Sequence, residues 1–130
     1  PDFQDFIKGK NFYFGHTRLS IIGLKETNAK QPINRNNRIL TFNGEIYNYK
    51  ELSEELNRKG IYDSGKSDTD TLFNLILHFG LKKAVSKIDG MYAFSYFDQI
   101  KKELFIVRDR WEKNLYTILL IIIILCFPLK

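Results

Sequence analysis

Apolar and polar positions alternate on two different periods along this chain, and the change of period marks its elements. The aromatic and apolar residues from Asn11 to His16 predict a short strand, and "TRLSIIGL" after it is a second apolar segment closed near Gly23. "KETNAKQPINRNN" carries Pro32 and several Asn and predicts a polar loop. "RILTF", Arg38 to Phe42, alternates as a strand does and runs into Asn43-Gly44-Glu45. Helical spacing then takes over. Asn48 is placed as an N-cap with Glu51 three positions on, Leu52 and Leu56 share a face, and Gly60 closes the helix. A second helix starts at Ser67, Asp68 or Thr69, buries Leu72, Leu75, Ile76 and Phe79, and stops at Gly80. "LKKAVSKIDG" predicts a short third helix. "MYAFSYFDQIKKELFIVRDR" predicts a β-hairpin turning near Gln99 to Lys102. Strands, then helices, then a hairpin is an α+β order.

Composition narrows the class. The 130 residues suffice for one domain with a core, and 44% hydrophobic and 27% charged content is ordinary for a globular protein. The net charge of +5 comes from scattered Lys, with no basic stripe interleaved with aromatics, so a nucleic-acid partner is not expected. One Cys (Cys126) and two His (His16, His78) make neither a metal cluster nor an internal disulfide. No metal site is expected, and a reducing, cytoplasmic setting is. "PDFQDFIKGK" has no apolar run for a secretory leader, and a start at Pro1 suggests a piece of a longer protein. Ten consecutive apolar residues, Ile118 to Phe127, fall short of the roughly 18–20 that span a bilayer as a helix, so no membrane role is assigned. A buried strand, an aggregation-prone run and non-native coding sequence all remain open for them, and residues 117–130 are set apart from a domain over 1–116.

Chemistry concentrates in few places. Asn43-Gly44-Glu45 fits first a turn in which Gly supplies positive φ, and after that an anion site where a side-chain amide and a backbone N–H converge on one oxygen. Arg18 could grip a carboxylate in bidentate fashion or sit at a strand edge with its head in water. His16 has no carboxylate or Cys close in sequence to make it a catalytic base. Asp68 suits a helix start, where it could also hold an ammonium group. No nucleophile has a base beside it, and Cys126 lies in apolar surroundings that disfavour its thiolate.

In their order and spacing, "GHTRLSII", "FNGEIYNYKELSEEL", "SDTDTL", "IDGMYAFSYFD" and "LFIVRDR" resemble the glutamine amidotransferase domain of glutamine-hydrolysing asparagine synthetases, over about Gly15 to Arg110. Related class II amidotransferases such as the glucosamine-phosphate synthetases share the fold but differ in the "NGEIYNYKEL" loop. The resemblance implies an N-terminal-nucleophile hydrolase, an αββα sandwich of antiparallel sheets, here without its N-terminal part. It implies glutamine hydrolysis that supplies ammonia to a synthetase domain, where ATP with Mg activates aspartate. No cofactor is implied within this segment, and a homodimer of the full-length protein is left open. By resemblance, Arg18 would hold the α-carboxylate of glutamine, and the backbone of Leu19, Ser20, Ile21 and Ile22 would line the same pocket. Asn43 and Gly44 would form the oxyanion hole, and Glu45 and Asp68 would receive the amino end.

Two departures from the family pattern bear on activity. The nucleophilic Cys, expected a few tens of residues before a "GPD" segment, is not in this sequence, whose first residues match the end of that segment. After Arg110 the family pattern fades by Tyr116, and the synthetase domain is not present. As written, the chain is expected to be inactive alone. An inactive domain of this fold kept for binding or scaffolding, and an amidotransferase acting on a sugar or peptide, are the alternative readings.

Overall fold

A computed structural model describes residues 3–18, 31–109 and 116–122. Its elements are β1 (Phe3–Lys8), β2 (Tyr13–Arg18), β3 (Ile33–Arg35), β4 (Arg38–Ile46), α1 (Tyr49–Arg58), α2 (Asp68–Phe79), α3 (Leu81–Lys87), β5 (Gly90–Asp98), β6 (Glu103–Asp109) and β7 (Tyr116–Ile122). β1 and β2 form a two-stranded antiparallel sheet, and the other strands a five-stranded sheet in the order β3-β4-β5-β6-β7. The architecture is α+β, with antiparallel sheets, as the order of periods predicted.

The chain divides into two compact units. One comprises Pro1–Thr41, Phe94–Ile106 and Ile118–Lys130, the other Phe42–Ala93 and Val107–Thr117. In the first, Phe12 and Phe14 pack their rings against Phe97 at 5.0 and 5.7 Å between centroids, while Phe6 stacks on Tyr13 at 5.1 Å on an exposed side. Ile33, Ile39, Leu40 and Phe94 are buried. Arg38 reaches the buried Asp98 carboxylate at 3.4 Å, and Asp98 Oδ1 accepts the N–H groups of Ile100 and Lys101 in the expected turn.

In the second unit, Leu52 and Leu56 of α1 and Leu72, Phe73, Leu75 and Ile76 of α2 join Ala84, Val85 and Val107 in the core. Fully burying a side chain of the Leu or Phe class contributes about 1.5–3 kcal/mol. Leu52, Leu56, Leu72, Leu75 and Ile76 are positions the 3.6-residue period marks; Phe79, marked with them, is only half-buried, and Phe73 is buried in its stead. α1 ends in a Schellman arrangement, with Ile61 N–H on the Leu56 carbonyl and Gly60 N–H on that of Asn57.

Three expectations are corrected. The polar loop over 25–37 gives way at its end to β3, which pairs with β4 through Asn36-Asn37; both take positive φ (50° and 58°), the sign a tight two-residue hairpin needs and Asn tolerates. β1 went unread because Asp5 and Ile7 share one face and Phe6 and Lys8 the other, so neither face is purely apolar; pairing with β2 defines it. Finally, Asn48 precedes α1 yet makes no side-chain cap bond, because its amide is engaged elsewhere. The segment Leu19–Lys30, including "TRLSIIGL" beyond Arg18, lies outside the described residues, and so does Ile123–Lys130 of the apolar run.

Candidate active site at the end of β4

β4 does not stop before Asn43 but carries Asn43, Gly44 and Glu45 inside the strand, flanked by buried Phe42 and Ile46. A regular strand alternates its faces. Here three successive residues are exposed, and the break coincides with Gly44 at φ 137°. No turn accounts for that glycine. A Cβ at position 44 would run into the Met91 carbonyl oxygen and lie 2.6 Å from Tyr92 Cα; one at Gly90 would run into the Glu45 carbonyl oxygen. The β4 and β5 backbones therefore touch through two glycines, one on each strand.

Asp68 is brought to the same place by α2. Ser67 caps that helix, its hydroxyl accepting the Asp70 N–H at 3.3 Å, which makes Asp68 the first helical residue. A carboxylate in a first turn is favoured by the helix dipole. Its Oδ1 accepts the Thr69 N–H at 2.7 Å, and its Oδ2 accepts the Ile46 N–H at 3.1 Å, directly after Glu45. Among the described residues, neither the Asn43 amide nor the Glu45 carboxylate has a hydrogen-bond partner, and both are exposed. The end of β4 thus presents an unengaged amide and an unengaged carboxylate, with a second carboxylate hydrogen-bonded to the same strand.

The fold gathers Asn43, Gly44, Glu45 and Asp68 in one unit. Arg18 is the last residue of β2, paired through its backbone with Phe3, and belongs to the other unit. Leu19, Ser20, Ile21 and Ile22 lie outside the described residues, as does Cys126. No group of three or more His, Cys, Asp or Glu is gathered among the described residues, and no helix among them is long and apolar enough to cross a membrane.

Two features behind the site escaped the sequence. Asp63, 4% exposed, accepts Thr71 Oγ1–H at 2.7 Å, Asn74 Nδ2–H at 2.6 Å and Gly65 N–H at 3.2 Å. Its own N–H and carbonyl are both bonded to the Asn57 side chain. Burial pushes its pKa up, but the hydrogen bonds from Ser53, Thr71, Asn74 and Gly65 outweigh burial and leave it below the usual value. Asp-x-Gly is a local turn signal, yet the partners eight and eleven positions on show only once α2 folds back. The second feature is the Asn48 amide, whose Nδ2 donates to the Lys87 carbonyl at 2.9 Å and whose Oδ1 accepts the Asp89 N–H at 3.0 Å.

The sequence profile of the glutamine amidotransferase domain matches residues 1–118. The chain belongs to the glutamine amidotransferase domain family. Among curated relatives of this amidotransferase domain, an asparagine synthetase (glutamine-hydrolyzing) of Bacillus subtilis is 38% identical over 111 residues, covering 84% of this chain and 17% of that protein. A putative one from Methanocaldococcus jannaschii is 34% identical, covering 79% and 22%, and one from Zea mays is 32% identical, covering 84% and 18%. The chain therefore spans about a fifth or less of these relatives' length. Among solved structures, the allosteric regulatory enzyme of purine biosynthesis matches with TM-score 0.59 and 28% identity over 73% of this chain and 23% of that one. The glutamine phosphoribosylpyrophosphate amidotransferase of B. subtilis, complexed with ADP and GMP, matches with TM-score 0.56 and 29% identity over 73% and 22%. The fold is that of the N-terminal-nucleophile amidotransferases.

Proposed function

We propose that this chain is part of the glutaminase domain of a cytoplasmic asparagine synthetase, releasing ammonia from glutamine for the ATP-dependent amidation of aspartate. The observation that carries the reading is the exposed Asn43 amide and Glu45 carboxylate beside Asp68, neither of them engaged among the described residues, in a chain of this family. By the family resemblance, Arg18 and the Leu19–Ile22 segment are assigned to the α-carboxylate of glutamine, and Glu45 and Asp68 to its ammonium. An arginine and two carboxylates suit a zwitterion.

The reaction needs a cysteine thiolate from the segment before Pro1. Attack on the side-chain amide carbon moves charge onto its oxygen, which the Asn43 side-chain N–H and the Gly44 N–H stabilise. Ammonia leaves with the proton it gains, and water hydrolyses the thioester to glutamate. ATP and Mg belong to the synthetase domain. The test is the glutaminase rate of the full-length gene product. Asn43→Ala should lower kcat by about 10²–10³-fold with little change in KM. An unchanged kcat overturns the oxyanion assignment.

A further inference from the structure

The segment joining β4 to α1 is held from two sides by bonds that the helix itself does not need. Ile46 N–H donates to Asp68 Oδ2 at 3.1 Å, and Tyr47 N–H donates to the Asp89 carbonyl at 2.7 Å. Asn48 then uses both ends of its amide on Lys87 and Asp89, residues 39 and 41 positions away. Lys87 is itself fixed, its Nζ lying 2.8 and 2.9 Å from the two oxygens of Glu55. An asparagine supplies one donor and one acceptor at this reach. An aspartate supplies only acceptors, and an alanine supplies neither.

The clasp lies next to the site. Gly90 directly follows the clasped Asp89, and its Cα stands where a side chain would run into the Glu45 carbonyl oxygen. Across from it, Gly44 lies against Met91 and Tyr92 with the same lack of slack. Any slip of residues 87–89 along the end of β4 therefore moves Gly44 and Glu45 directly.

We propose that Asn48 is a positioning residue of the glutamine site: its amide clamps the end of β4 to residues 87–89 and so sets where Asn43, Gly44 and Glu45 present their groups. The proposal rests on the reading of that site given above. A helix cap would act on α1 alone, and Asn48 makes no side-chain cap bond.

In the full-length gene product, Asn48→Ala should lower glutaminase kcat about tenfold or more, with KM changed by less than about threefold. Amidation driven by added ammonia bypasses the site and should keep its wild-type rate. Asn48→Asp, which retains the acceptor for Asp89 N–H and loses the donor, should fall between. If Asn48→Ala does not fold, Asn48→Asp decides by the same ratio of glutamine-driven to ammonia-driven rates. A wild-type ratio in the folded variant overturns the positioning role. A wild-type protein with no glutaminase activity overturns the reading of the site, and this proposal with it.

Discussion

Asp63 and Glu45 are carboxylates of the same unit, eighteen positions apart, with opposite surroundings. Asp63 is buried and surrounded by donors from α1, from α2 and from the loop between them. Glu45 stands exposed on β4 without a partner among the described residues. A buried carboxylate holds its place only if its lone pairs are satisfied, and satisfying them consumes what a ligand would use. Asp63 therefore ties the 60–67 segment to the start of α2, the helix that presents Asp68. Glu45 keeps its acceptors open and contributes little to the fold. Asp68 stands between the two: both oxygens accept backbone N–H groups, Oδ1 also accepts the Thr69 hydroxyl at 3.3 Å, and Oδ2 retains a further lone pair.

The sharpest way to break this contrast is Asp63→Ala, which removes the buried acceptor shared by Thr71, Asn74 and Gly65. It should cost about 2–4 kcal/mol of stability in urea denaturation. A variant as stable as wild type would mean that the hub is replaceable by water. Since the folded-state pKa of Asp63 is lowered from 3.8, its contribution is complete above that value and is lost as pH falls below it. The gap between wild type and variant should close in the same direction.

Glu45→Gln should do the reverse. Stability should stay within about 0.5 kcal/mol of wild type. The glutamine dissociation constant, by calorimetry on the full-length gene product, should rise about tenfold through loss of the charge facing the ammonium. A stability loss with unchanged affinity would exchange the roles of the two carboxylates.

The smallest effect belongs to Glu55, a further carboxylate of this unit. Bonds from Lys59 and then Lys87 lower its pKa from 4.5 to about 2. Its contribution is present above pH 4.5 and fades between there and about pH 2. Because the pair is partly solvated, it should amount to less than about 1 kcal/mol. Lys87→Met should flatten the acid limb of the stability profile between those values. A limb of unchanged steepness would assign the pairing to Lys59 alone.

Legibility differed between fold and site for a physical reason. α1, α2 and the β5–β6 hairpin were readable because their apolar spacing, Leu52 with Leu56 and Leu72 with Leu75 and Ile76, is local. β1 was not, because its identity as a strand rests on a partner rather than on its own alternation. The Asn36-Asn37 hairpin could have been found, since paired Asn before an alternating strand is a turn signal that was absorbed into a polar loop.

The residues Asn43, Gly44, Glu45 and Asp68 were legible as a set only through the family resemblance, and their relation was not legible at all. A sequence lists donors and acceptors; it does not say which are consumed. By itself it determined the helices, the α+β order, the glycine between an amide and a carboxylate, and membership in the family. Only the tertiary structure decided that Gly44 serves a close approach of two strands instead of a turn, that Asn48 clasps Lys87 and Asp89 instead of capping a helix, and that Asp63 is saturated while Glu45 is open. Each of those decisions is a hydrogen bond or a steric contact between segments well apart along the chain. Such partners come within about 3 Å only after the core has folded the intervening helices back.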